Sequence, residues 1–233
     1  MSVAIMQPYF FPYIGYFQLI EKVDNFVFYD DVSFIKKGWI NRNQILLNGE
    51  PFLFTIPLIK QSQNKEIREI EVFWGKEFPQ KFLSQLRSAY KKAPYYSEFL
   101  PYIEELFSNK PESISELAIQ SIQTVYHFLG LEKNWSRSSQ IGISKDFERT
   151  DRLIEITKSL GSNIYINPIN GQNLYEKAYF KEKKIDLSFL SPNISSYSQF
   201  QTKRFVPNLS ILDLLFNLEK ELIIEKIHLG DLK

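Results

Sequence analysis

The sequence predicts an α/β protein: a mainly parallel sheet with flanking helices, interrupted by a β-hairpin insertion and a helical insertion. Three observations predict it. The first 30 residues read strand, turn, helix, strand, the βαβ signature of a parallel sheet. Asn48-Gly49 lies between two apolar runs, and that pair accepts the positive φ of a type I′ hairpin turn. Ser113 and Glu116 form a capping box ahead of a long helical apolar pattern that Gly130 closes.

The elements follow in order. Val3-Ala4-Ile5-Met6 is a short apolar run ended by Gln7-Pro8, as expected of a buried strand. Ile14, Phe17, Leu19, Ile20 and Val23 have helical spacing, and Pro12 suits the first turn because its missing N–H would be unpaired there. Phe26-Val27-Phe28-Tyr29 is the next strand and stops at Asp30-Asp31. A hairpin region of about 39–73 contains Ile45-Leu46-Leu47 and Phe52 to Ile56, with a further short strand expected within Asn64 to Phe73. A helical insertion of about 77–130 then carries three apolar faces, built around Phe82 to Tyr90, Tyr102 to Phe107 and Ile114 to Leu129. Thr150 reads as the N-cap of a helix through Leu153, Ile154 and Ile156 that Gly161 closes. A strand at Asn163 to Asn167, a helix to about Phe180, a strand at Ile185 to Leu190 and a last helix after Pro207-Asn208 return the chain to alternation. No repeat or linker divides the sequence, so residues 1–233 are expected to form a single α/β domain.

Composition narrows the function. Lys and Arg number 28 against 27 Asp and Glu, without the basic excess that phosphate-dominated nucleic-acid binding uses. No apolar run is long enough for a membrane span, and the N-terminus lacks signal-peptide character, so a cytoplasmic location is expected. With no cysteine, disulfides, thiol nucleophiles and cysteine metal sites are excluded. His127 and His228 are the only histidines, and both read as helix-end or exposed residues rather than triad members. Walker, GxGxxG, HExxH and GxSxG patterns are missing.

Ligands of open α/β sheets bind beyond the carboxyl ends of the strands. Those ends are Gln7-Pro8-Tyr9 and Asp30-Asp31. Gln7, Tyr9 and the helix start at Tyr13 are candidates for phosphate binding, with Gly15 permitting close backbone approach. Asp30 and Asp31 are suited to hold Mg²⁺, to bind sugar or ribose hydroxyls, or to act as base with a pKa raised by partial burial. Asn41, Arg42 and Asn43 place two amides around a guanidinium that offers a bidentate fork for phosphate or carboxylate. Ser138-Ser139 and Thr150-Asp151-Arg152 are further candidates for anion or hydroxyl contacts. Asn167, Asn170 and Gly171 occupy a strand-to-helix loop, the right place for a ligand.

Met6-Gln7-Pro8-Tyr9 through Gly15-Tyr16-Phe17, Phe28-Tyr29-Asp30-Asp31-Val32, Asn41-Arg42-Asn43, Thr55-Ile56-Pro57-Leu58 and Leu209 to Asn217 together resemble the WbqC-like protein family. The resemblance covers essentially the whole chain. It implies a bacterial protein of O-antigen or other surface-polysaccharide biosynthesis. The implied activity is a transferase that adds a glycyl, other aminoacyl or small acyl group to a nucleotide-linked amino sugar. The implied partners are therefore a nucleotide-activated sugar and an acyl or aminoacyl donor. Many relatives carry His-Gln-Pro where this chain has Met6-Gln7-Pro8, and a thioether transfers no protons. Tyr13-Ile14-Gly15-Tyr16 also resembles, in position, the His-x-Gly-His signature of nucleotidylyltransferase-type folds, with both histidines replaced by tyrosine. A nucleotidylyltransferase-like enzyme and a non-catalytic assembly protein presenting the aromatic surface of Tyr9 to Phe17 are the alternative readings.

Overall fold

The computed structural model describes residues 1–200 and 202–233. In chain order the strands are β1 (Ser2–Met6), β2 (Asn25–Phe28), β3 (Arg42–Leu47), β4 (Glu50–Thr55), β5 (Asn134–Arg137), β6 (Ile164–Pro168), β7 (Asp186–Ser191) and β8 (Asp231–Leu232). The helices are α1 (Ile14–Glu21), α2 (Gln80–Tyr90), α3 (Tyr96–Ser108), α4 (Ile114–Leu129), α5 (Ser138–Ile141), α6 (Arg149–Ser159), α7 (Lys177–Glu182), α8 (Ile211–Asn217) and α9 (Lys220–His228). Six strands form one sheet in the order β5-β2-β1-β6-β7-β8, parallel throughout except for β8. The chain starts on β1, winds outward through β2 and β5, then crosses to β6 and β7 on the other side. The order reverses between β1 and β6, and a crevice forms above the carboxyl ends of such a pair.

Both faces of this sheet are covered, which is why its strands are apolar runs rather than alternating ones. The period of two still decides which residue faces which layer. Ala4, Phe26, Phe28, Ile166 and Leu190 pack into the larger core with α1, α4, α8 and α9, while Val3, Ile5, Val27, Tyr165, Leu187 and Phe189 pack against α6 and α7. The hairpin β3–β4 forms a separate two-stranded sheet, with Asn48 at φ 54° and Gly49 at φ 80°, as its Asn-Gly turn predicts. Helices α2 to α4 fill the insertion. Ser113 Oγ accepts the Glu116 N–H at 3.1 Å and Gly130 closes α4 at φ 70°, but the Glu116 carboxylate reaches Arg137 and Gln120 instead of turning back to the cap.

Several elements differ from the sequence expectation. Residues 64–73 form only the 3₁₀ turn Ile67–Glu69 and isolated bridges, because their partners are single residues at Ser33, Leu58 and Ser113 rather than a strand. Strand β5 is unannounced: four half-polar residues, Asn134-Trp135-Ser136-Arg137, pair with β2. The N-cap of α6 is Glu148, two residues earlier than expected, so Thr150 lies inside the helix. Pro12 precedes the N-cap of α1, which is Tyr13. The chain does not end at α8; α9 and β8 follow, α9 packing on α1 and β8 adding the one antiparallel edge. Among the described residues no helix is long and apolar enough to cross a membrane.

Candidate functional site at the carboxyl edge of the sheet

Asp30 and Asp31 follow β2 directly and turn into a buried polar cluster shared with β5 and α6. Both are buried, at 2% and 4% exposure. Ser138, which opens α5 immediately after β5, accepts the Asp30 N–H at 3.2 Å through its Oγ. A hydroxyl has one proton. Ser138 Oγ lies 2.5 Å from Asp31 Oδ1 and 3.1 Å from Asp30 Oδ1, so Asp31 is the favoured acceptor of that proton. Ser139 completes the Asp30 shell, donating its N–H to Oδ1 at 3.1 Å and its hydroxyl to Oδ2 at 2.7 Å. Arg152, from α6, donates to Asp31 Oδ2 at 2.5 Å and to the Tyr29 hydroxyl at 3.3 Å, with its guanidinium 5.1 Å above the Tyr29 ring. Its Nε is buried and has no partner among the described residues.

The electrostatics correct one expectation. Burial pushes the Asp31 carboxyl up, but hydrogen bonds from Arg152 and Ser138 and the Arg152 charge outweigh it, so the net pKa is lowered, not raised. Asp31 is therefore a weak base and a firm anionic anchor. All four carboxylate oxygens of the pair already accept a donor, so the pair is not a bare ligand set for Mg²⁺. No group of three or more metal-ligating side chains converges among the described residues.

The end of β1 lies beside this cluster, with the Tyr29 N–H donating to the Met6 carbonyl at 2.7 Å. Gln7 is half-buried and its carbonyl accepts the Tyr16 hydroxyl at 2.8 Å. Tyr9 and Tyr13 are also half-buried. Burial raises both phenol pKa values, and Tyr13 raises that of Tyr9 further, so both remain hydrogen-bond donors. Tyr16 is buried against Tyr9 and Phe26 and is committed to Gln7, which removes it as a phosphate contact. Gly15 does admit a close approach, but from within. A Cβ there would lie 2.5 Å from the Tyr13 ring, which thus covers the start of α1. Phe10, Phe11, Ile14, Tyr16 and Phe17 are all buried, so this aromatic run is core and not the exposed partner surface the sequence allowed.

Asn41, Arg42 and Asn43 sit at the start of β3, next to the same turn. The sequence reading gives them to a ligand; the structure gives most of their donors to the backbone. Asn41 Nδ2 donates to the Ile56 carbonyl at 2.9 Å and Asn43 Nδ2 to the Phe11 carbonyl at 2.8 Å, both from buried positions. Buried amides must be paired, and in this turn the free carbonyls are the nearest acceptors. Arg42 Nε donates to the Gly38 carbonyl at 2.8 Å and one terminal nitrogen to the Lys37 carbonyl, with Trp39 beneath the guanidinium at 5.7 Å. The side-on pair of donors, Nε and one terminal nitrogen, is thus spent on the backbone, and the donors left for a ligand are on the far terminal nitrogen and the outer edge of the guanidinium.

On the far side of β1, Asn167 is the buried penultimate residue of β6, while Asn170 and Gly171 lie in the following 3₁₀ turn, Ile169–Leu174. The Asn167 amide rests so close to Gly171 that a Cβ there would fall 2.2 Å from Nδ2. The reversal of strand order thus brings Gln7, Tyr9, Tyr13, Asp30, Asp31, Ser138, Asn167, Asn170 and Gly171 to one edge. Tyr29, Ser139 and Arg152 join them; Arg152 belongs to the Thr150-Asp151-Arg152 triplet visible in the sequence, whereas Tyr29 carried no signal beyond its place at a strand end. Arg68 reaches the same edge through its N–H, which donates to the Asp30 carbonyl at 3.1 Å. Nothing in its local sequence marks it.

Comparison with known proteins agrees with this geometry in extent. No solved structure matches the chain. A protein of Mycobacterium tuberculosis (strain ATCC 25618 / H37Rv) described as uncharacterized protein Rv1507c is 27% identical over 227 residues, covering 94% of this chain and 95% of that protein. The model of the WbqC-like protein family matches residues 7–225, from the loop after β1 to α9, and so includes every residue gathered at the carboxyl edge. The chain belongs to the WbqC-like protein family.

Proposed function

We propose that this protein is a transferase that adds an aminoacyl (glycyl) or other small acyl group to a nucleotide-linked amino sugar in bacterial surface-polysaccharide biosynthesis, acting in the cytoplasm. The observation that carries the proposal is the buried Asp30–Asp31–Ser138–Ser139–Arg152 cluster at the strand-order reversal. Family membership supports the pathway. In this reading Gln7, Tyr9 and Tyr13 receive the nucleotide, with the open terminal nitrogen of Arg42 on a phosphate oxygen. Asn167, Asn170 and Gly171 contact the sugar from the other side of the crevice.

The sugar amine attacks the acyl carbonyl carbon, a C–N bond forms, and the bond from that carbon to the carrier breaks with its electron pair leaving on the carrier. The amine proton passes to Asp30, whose Oδ2 has a lone pair beyond the one Ser139 occupies. Asp31, held ionised by Arg152, anchors Ser138 and fixes the Asp30 backbone through it. The nucleotidylyltransferase alternative is weakened by Tyr16, whose hydroxyl is engaged by Gln7.

The test is a thermal-shift screen of the protein against nucleotide-sugars, free nucleotides and acyl donors. A ligand at about 100 times its Kd stabilises by roughly 2.7 kcal/mol. A nucleotide-sugar is expected to raise the melting temperature, Arg42→Ala to weaken that shift, and Asp30→Asn to abolish turnover while the shift persists. Silence across the whole set, or full turnover in Asp30→Asn, refutes the reading.

A further inference from the structure

A second concavity lies at the opposite, amino-terminal edge of the sheet. It is an open groove of about 730 Å³ bordered by the end of α1, by α4 and by the residues leading into β5. Small-ligand sites commonly have volumes of roughly 300–1,000 Å³. At its floor is Lys133, whose side chain is only 10% exposed. Among the described residues the carboxylate within 4 Å of its ammonium is Glu21, at 3.8 Å, beyond hydrogen-bond distance. Glu21 is also held elsewhere: its Oε1 accepts the Tyr126 hydroxyl at 2.6 Å, and its Oε2 lies 3.5 Å from His228 Nε2. Lys133 thus has a largely buried stem and an ammonium that opens into the groove with no hydrogen-bond acceptor among the described residues. Burial lowers its pKa, and the carboxylates of Glu21 and Asp24 offset that only in part. Trp135 and Gln123 line the same groove, and neither the indole N–H nor the amide has a partner among the described residues.

The rim has the opposite character. Asp24 uses only Oδ2, on the Ser2 N–H at 2.6 Å and hydroxyl at 3.0 Å, and Glu132 is exposed beside it. Three acidic groups against Lys22 and Lys133 disfavour a purely anionic ligand, and a simple cation would leave Lys133 bare. We propose that this groove binds a small zwitterion, its carboxylate accepting from Lys133 and the Trp135 indole, and its ammonium facing Asp24 and Glu132. The site lies at the other edge of the sheet from the proposed transfer chemistry and is independent of it.

The test is an NMR titration of the full chain labelled with ¹⁵N, reading the Trp135 indole resonance, assigned by its loss in Trp135→Phe. The probes are alanine and β-alanine, with acetate and ethanolamine as the two half-ligands. The expected result is a saturable shift with the zwitterions and a much weaker response to either half. Lys133→Met, which keeps the apolar stem, is expected to weaken binding roughly tenfold or more, the scale of a charge-assisted hydrogen bond. Lys133→Gln provides a second variant, and the unmoved remainder of the spectrum reports that each variant folds. No saturable shift in the wild type, an equal response to acetate, or unchanged affinity in a folded Lys133 variant overturns the proposal.

Discussion

Replacing Arg152 by Met tests the electrostatic frame of the carboxyl edge. The Arg152–Asp31 pair is 2.5 Å apart with side chains 5% and 3% exposed. Removing the guanidinium while keeping an apolar stem leaves Asp31 buried with Ser138 as its one donor. Breaking a buried pair from one side costs about 3–5 kcal/mol. At roughly 2–4 °C per kcal/mol for a chain of this size, that is a fall of roughly 6–20 °C in melting temperature. The pH dependence separates this cause from lost packing. In the wild type Asp31 has a lowered pKa, so its contribution is present above the unfolded carboxylate value and disappears as pH falls through the folded value. In Arg152→Met the burial effect is no longer opposed by the arginine, the pKa rises above the unfolded value, and stability increases as protonation neutralises the bare charge. The deficit is therefore expected to shrink between about pH 7 and about pH 5. Urea unfolding followed by tryptophan fluorescence measures it at both pH values. A deficit below about 1 kcal/mol, or one equal at the two pH values, refutes the assignment of Arg152 as the compensating charge. Adding Asp31→Asn to Arg152→Met is expected to recover part of the loss.

Three further outcomes follow from particular contacts. Asp213, fully buried in α8, accepts from Tyr90 Oη at 2.8 Å, Tyr197 Oη at 2.7 Å and Gln199 Nε2 at 2.9 Å, with no ion pair to a cation among the described residues. Asp213→Asn, which turns one acceptor oxygen into a donor, should cost about 1–3 kcal/mol in chemical denaturation. Burial raises the Asp213 pKa against those three donors, so its effect on stability becomes more favourable as pH falls through the folded value, and the variant should lose that acid-side dependence. Gly171→Ala places a Cβ 2.2 Å from the Asn167 amide. That atom is the end of a rotatable side chain, so a melting change equivalent to less than about 1 kcal/mol is expected, together with a weaker nucleotide-sugar shift if Asn167 contacts the ligand. Tyr16→Phe removes the donor to the Gln7 carbonyl and should lower stability by about 1–2 kcal/mol by thermal melting, with no effect on the Arg152 pair.

Local patterns made much of this molecule legible. Val3 to Met6 and Phe26 to Phe28 could be read as strands because their apolar density matches a sheet buried on both sides, and Ser113 with Gly130 marks α4 because caps satisfy local backbone groups. Strand β5 was not legible. Asn134 to Arg137 has little apolar signal, and its strand state comes from pairing with β2, more than a hundred residues away. The site divides in the same way. Asp30, Asp31 and Asn167 could be found from their positions at strand ends. The fate of Asn41 and Asn43 could not, because residue type announces an amide donor but not which acceptor is nearest once Ile56 and Phe11 are folded beside them.

The sequence by itself determined the α/β class, the hairpin, the capped helix and the edge at which polar residues would collect, since all of these follow from short-range periodicity and turn chemistry. Tertiary structure alone decided the direction of the Asp31 pKa, the engagement of Arg42 Nε by the Gly38 carbonyl, the closure of α1 by the Tyr13 ring, and the convergence of Lys133 with Glu21 and Tyr126. The physical reason is one of range. Backbone propensities and caps act over a few residues, whereas desolvation and the choice of hydrogen-bond partner depend on which distant segments the sheet order brings within about 3 Å of each other.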